Sequence, residues 1–236
     1  MGTSVNGAPT VIRTKNFVAD AAAFILEQAR KTIGERKEFR IALSGGHTPA
    51  PVYARIAAEA HDFPWDRVRF TFGDERCVPP DDPQSNFRMA RENLFVPGAV
   101  PEKSIMRMRG EINPQIAAQE YQDQLNAIAI ESGERIYQHD LILLGLGDDG
   151  HTASLFPGTA ALEETRRLVV ANSVPKLNAW RLTFTFPLID HARHILFLVG
   201  ASKTPQLIER VLAGDQQFPA VRVHPSAGEV TWMIGE

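Results

Sequence analysis

Short apolar runs and longer amphipathic stretches alternate along the chain. The runs Arg40–Leu43, Val68–Phe72, Asp140–Leu144, Leu182–Phe186, Ile195–Val199 and Val230–Ile234 are rich in β-branched and aromatic residues. They lack the polar alternation of a half-exposed strand, so they predict strands buried on both faces. Between them, Phe17, Ala21, Phe24, Ile25 and Ala29 fall on one face of a helix. Thr48-Pro49 reads as an N-cap and a first-turn proline opening a helix to about Ala60. Ser85 opens a helix through Leu94, Asn113-Pro114 opens one through about Ile130, and Ser202–Leu212 is a further helix. Strands alternating with helices predict an α/β fold: a mostly parallel sheet flanked by helices on both faces, in three layers. No Ser/Gly linker, low-complexity tract or internal repeat interrupts the pattern, so residues 1–236 are expected to form a single α/β domain.

Composition narrows the classes. The chain has 236 residues, with 25 Lys and Arg against 28 Asp and Glu, a formal net charge of −3. Such a balance carries no bulk signature of nucleic-acid binding. The single cysteine, Cys77, excludes an intrachain disulfide and a multi-cysteine zinc site. No apolar run approaches the roughly 18 residues of a membrane span. The opening MGTSVNGAPT has no apolar core of a signal peptide. Met1-Gly2 resembles the start of an acylation motif, but Asn6 stands where that motif wants Ser or Thr. A cytoplasmic protein without membrane or nucleic-acid partners is expected.

In open parallel sheets, ligands bind beyond the carboxyl ends of the strands. Three such loops carry unusual residues. Ser44-Gly45-Gly46-His47-Thr48-Pro49 follows a strand and opens a helix. Its glycines let the backbone approach a ligand, and the helix N-terminus offers N–H groups to a phosphate. No Gly-Lys-Ser/Thr follows, so it is not a nucleotide P-loop. A tight turn that needs glycine for geometry is the plain alternative.

Gly73-Asp74-Glu75-Arg76-Cys77 puts three charges at a strand end, where a surface cluster is the plain alternative. An arginine between carboxylates can be held by one and still face a ligand, and Ser85-Asn86 can fold back onto the same place. The run Leu144 to Ser154 matches G-x-G-x-x-G, but Pro157-Gly158 would break the long helix that a dinucleotide site needs. What remains is a glycine-rich turn presenting Asp149 and His151, the latter a natural base near neutral pH. Lys176, Arg181 and Lys203 lie at further strand ends and suit an anionic ligand. His191 and His194 have no metal-box companions, so a metal site is not expected.

Together these loops resemble those of the 6-phosphogluconolactonase family. The stretches are LSGGHTP at 43–49, GDERCVP at 73–79, SNFRMARENL at 85–94, LGLGDDGHTASLFPG at 144–158, PKLNAWRLTFTFP at 175–187 and FLVGASK at 197–203. They occur in family order over nearly the whole chain; Leu177-Asn178 replaces frequent prolines. The resemblance implies a Rossmann-like sandwich akin to glucosamine-6-phosphate deaminase and ribose-5-phosphate isomerase. It also implies cofactor-independent hydrolysis of 6-phospho-D-glucono-1,5-lactone in the pentose phosphate pathway, by a monomer or homodimer. On that reading His151 is the base, Arg76 or the Gly147–Gly150 amides meet the oxyanion, and Asp149 or Asp74 orients the imidazole or binds hydroxyls. The phosphate falls to Ser44, Gly45, Gly46 and Thr48 with Arg181 and Lys203, and Lys176 nearby. The rival readings are a deaminase using Asp74 and His151, and a non-catalytic sugar-phosphate sensor, which would have no need of His151.

Overall fold

The computed structural model describes residues 8–236, so the Met1–Asn6 acylation pattern lies outside it. The chain runs β1 (Thr10–Thr14), α1 (Phe17–Arg36), β2 (Phe39–Leu43), α2 (Pro49–Glu59), β3 (Val68–Phe72) and β4 (Asp74–Arg76). It continues through α3 (Asn86–Ala90), α4 (Pro114–Glu131), β5 (Leu141–Gly145), β6 (Val169–Val174) and β7 (Ala179–Phe184). The last elements are α5 (Phe186–Ile189), β8 (His194–Val199), α6 (Pro205–Leu212) and β9 (Glu229–Gly235). A six-stranded sheet has the order β1-β9-β8-β5-β2-β3, with every pairing parallel.

Both faces of that sheet are apolar, which is why its strands read as unbroken hydrophobic runs. Ile41, Leu43, Leu141, Leu143, Leu196 and Met233 pack against Ala21 and Ile25 of α1 and Val52 and Ile56 of α2. The alternate residues Ala42, Ile142, Leu144, Ile195, Phe197 and Trp232 pack against Tyr121 and Leu125 of α4 and Leu207 and Val211 of α6. The period of two thus sends successive side chains into two separate cores, giving the expected parallel sheet with helices on both faces. Among the described residues no helix is long and apolar enough to cross a membrane.

Three features depart from the pattern read above. The run at Leu182 belongs to a second, three-stranded antiparallel sheet of order β4-β7-β6, not to the parallel sheet. Only Pro175–Asn178 separates β6 from β7, with Asn178 left-handed at φ 45°. A parallel partner would need a crossover of a dozen or more residues. The strands β1, β4 and β6 have no unbroken apolar run: β1 is a partly exposed edge, β4 is Asp-Glu-Arg, and β6 is interrupted by Asn172 and Ser173. Thr48 does not cap α2 through its side chain, because its backbone is already helical at φ −65° and ψ −46°. Ser85 and Asn113 do cap, accepting from Arg88 N and from Gln115 and Ile116 N, and Thr204 caps a helix that begins later than Ser202.

Candidate active site

The pairing of β2 with β5 ends at Ala42↔Ile142. Beyond it the two strands part, at the point where the chain's path through the sheet switches from β3 on one side to β8 on the other. A cleft of about 710 Å³ opens there. The residues expected to carry catalysis and phosphate binding all line it: Ser44, Gly45, Gly46 and Thr48 after β2, Asp74 and Arg76 on β4, Asp149 and His151 after β5, Lys176 and Arg181 on the hairpin, and Lys203 after β8. Residues far apart in sequence therefore share one wall-to-wall space because all but the hairpin pair leave the carboxyl side of the parallel sheet.

The turn after β5 is built around His151. Gly150 N donates to Gly147 O at 3.0 Å and Gly147 N donates to His151 O at 2.8 Å. The imidazole folds back so tightly that a Cβ at position 147 would stand 2.0 Å from its Nδ1, so only glycine fits there. His151 Nδ1 lies 2.5 Å from Asp149 Oδ1. An ionised carboxylate only accepts, so Nδ1 carries the proton and Nε2 is left as the basic nitrogen. Burial, the largest cause, pushes the imidazole down to about 4; Lys203 and Arg181 act the same way and Asp74 opposes them. His151 is thus neutral at pH 7. One neighbour escaped the sequence reading: Phe156 stacks on the imidazole with centroids 4.0 Å apart. Lys176, expected near the phosphate, pairs with the far oxygen of Asp149 and lies over Phe156. The only sequence signal was Pro157-Gly158, which turns the chain back.

On β4 the strand period separates the three charges. Asp74 and Arg76 reach the cleft, whereas Glu75 points away and is 2 % exposed. Glu75 does not hold the Arg76 side chain. It accepts from the backbone N–H groups of Arg76 (2.7 Å), Asn86 (2.7 Å) and Phe87 (2.8 Å) and from the Ser85 hydroxyl (3.1 Å). Arg76 and Arg181 are direct partners across β4 and β7. Neither guanidinium is ion-paired among the described residues: Arg76 donates to Gln84 O and Arg181 to Trp180 O. Two like charges side by side without a carboxylate form a ready anion site.

The glycine loop is held from behind. Ser44 N donates to Tyr53 Oη at 3.0 Å, and that hydroxyl donates to Ser44 O at 2.9 Å. Gly46 adopts φ +94°. Ser44 Oγ is buried in the cleft wall with no partner, a polar atom waiting for a ligand. Lys203 pairs with Asp148 at 2.6 Å, but Asp148 is almost wholly exposed, so a doubly charged ligand can displace it. Among the described residues no group of three His, Cys, Asp or Glu side chains is arranged to hold a metal.

Comparison with known proteins agrees with this architecture. The profile of the family described as glucosamine-6-phosphate isomerases/6-phosphogluconolactonase matches residues 13–232. A 6-phosphogluconolactonase of Synechocystis is 41% identical over 230 residues, covering 96% of this chain and 94% of the relative. One from Nostoc is 37% identical, covering 92% and 90%. The crystal structure of a 6-phosphogluconolactonase from Thermotoga maritima superposes with a TM-score of 0.84 at 28% identity, over 97% of this chain and 100% of that one. The chain belongs to the glucosamine-6-phosphate isomerase/6-phosphogluconolactonase family.

Proposed function

We propose that the protein hydrolyses 6-phospho-D-glucono-1,5-lactone to 6-phosphogluconate in the pentose phosphate pathway, with His151 as general base. The observation that carries this reading is the neutral His151 imidazole, with Asp149 on Nδ1, in a cleft that also presents unpaired guanidinium groups and a glycine loop. The relatives' names point to the same reaction.

His151 Nε2 takes a proton from water as the water oxygen bonds to the lactone C1. The carbonyl oxygen gains the negative charge, and Arg76 or the amides of the Gly147–Gly150 turn donate to it. When the intermediate collapses, the bond from C1 to the ring oxygen breaks. The imidazolium returns its proton to that oxygen, and the carboxylic acid product ionises. The phosphate sits on the Ser44–Thr48 loop with Arg181 and Lys203. Lys176 stands at its edge and secures Asp149.

The test follows 6-phosphogluconate formed from lactone generated in situ, with the spontaneous rate subtracted. His151→Ala lowers kcat by about 10²–10⁴-fold, the usual contribution of a general base. Since the neutral form is the base and burial holds its pKa down to about 4, activity of the wild type declines only as pH falls toward that value. An unchanged kcat in His151→Ala removes it from the mechanism.

A further inference from the structure

Asp74 is 8 % exposed at the cleft wall, and both of its carboxylate oxygens are held from the protein side. Asn86 Nδ2 donates to Oδ1 at 3.2 Å and to the Asp74 carbonyl at 2.9 Å. Asn86 reaches this position beneath the glycine loop, where a Cβ at Gly45 would stand 1.8 Å from its Oδ1. Ser154 Oγ donates to Asp74 Oδ2 at 2.6 Å, the shorter of the two side-chain bonds.

Ser154 is itself rigidly set. It is 1 % exposed. Its N–H donates to Thr183 Oγ1 at 3.1 Å, and Asn172 Nδ2 donates to its carbonyl at 2.9 Å. Thr183 is the cross-strand partner of Asp74, so Ser154 bridges the two strands from the side. The preceding Ala153 adopts the left-handed region at φ 46°, uncommon for a residue with a Cβ. That local strain persists where the surroundings demand it, and here it lies immediately before the hydroxyl that meets Asp74.

The same short loop thus carries His151 and, three residues on, the donor to a carboxylate that lines the same cleft. We infer that Ser154 is a positioning residue, whose hydroxyl holds the Asp74 carboxylate in the orientation that serves His151 during lactone hydrolysis. This rests on the reaction proposed above. Asp74 and His151 line the same cleft, and the Asp74 charge favours the protonated imidazole, so its placement matters when the imidazole has taken the proton from water. A carboxylate left to rotate would serve substrate binding almost as well and the charged imidazolium less well, so the effect belongs on kcat rather than KM.

The test is a double-mutant cycle on the full chain with the lactone assay, alongside thermal unfolding of each variant. Ser154→Ala is expected to lower kcat about 10-fold, the value of a hydrogen bond to a charged group, with KM within about 2-fold of wild type. In an Asp74→Asn background the same substitution is expected to change kcat less than about 2-fold, because Ser154 acts through the carboxylate. A structural role would instead give the same loss in both backgrounds, and that result, or an unchanged kcat in Ser154→Ala, overturns the inference. Ser154→Cys, near in size but a weak donor, carries the cycle if the alanine variant does not fold. Absence of lactonase activity in the wild type overturns the reaction itself, whereas an active wild type with an additive cycle overturns only the role of Ser154.

Discussion

Arg181 stands beside Arg76 with no ion pair among the described residues, and burial together with Arg76 lowers its pKa, opposed by Asp74, without removing its charge at neutral pH. A dianionic phosphate bound there would relieve that repulsion. Arg181→Ala is therefore expected to raise KM for the phosphorylated lactone by about 10-fold or more, while the unphosphorylated lactone is little affected; equal losses for both ligands argue against a phosphate contact. Much of the site was legible at this scale. A histidine in a turn of glycines and charges at strand ends are exceptions to ordinary surface chemistry, and exceptions stand out in a sequence. Ser154, Phe156 and Tyr53 were not legible as neighbours of the cleft, because a serine, a phenylalanine and a tyrosine are ordinary in loops and cores. Their meaning lies in contacts with residues far away, such as Ser154 with Asp74 at 2.6 Å.

Among the elements, the parallel strands could be read because both faces are buried, and the helices because their caps and prolines are local. The small antiparallel sheet could not. Three charged residues make no hydrophobic period, so β4 is recognisable only from its pairing with β7. The same strand anchors α3. Glu75 is the acceptor for backbone N–H groups of Asn86 and Phe87 at the start of that helix, although burial raises its pKa and so disfavours its charge. Glu75→Ala leaves those donors buried without a partner. The expected cost is about 3 kcal/mol, read as a fall in Tm of about 6–12 °C. A Tm within about 2 °C of wild type would mean that water or another side chain takes over the acceptor role.

For the molecule as a whole, Leu182 and Phe184 of the small sheet lie in the same apolar cluster as α4 and β5. We propose that residues 1–236 unfold as one domain, with far-ultraviolet dichroism and tryptophan fluorescence giving coincident denaturant transitions. His139 joins the parts: it is wholly buried, its Nε2 lies 2.9 Å from Thr71 Oγ1 on β3, and its ring packs 5.2 Å from Phe184 on β7. Burial, aided by Arg40 and His191, holds its pKa down to about 3. The unfolded chain binds a proton near pH 6.5, so the stability linked to this residue is full above that pH and is lost as pH falls toward 3. His139→Phe, which cannot protonate, is expected to gain about 1 kcal/mol relative to wild type on going from pH 7.5 to 5.5. Parallel stability changes for the two proteins would show that His139 does not titrate on unfolding.

The opposed faces of β4 also bear on which changes of chain length the protein can survive. Asp74 and Arg76 line the cleft while Glu75 holds the start of α3, so a substitution on one face acts independently of the other. Loss or gain of one residue near Gly73 would exchange the faces, turning Glu75 into the cleft and the arginine toward the interior. Variation at the β3–β4 junction is thus confined to replacement, and an insertion in this region has to fall in the loop between β4 and Ser85.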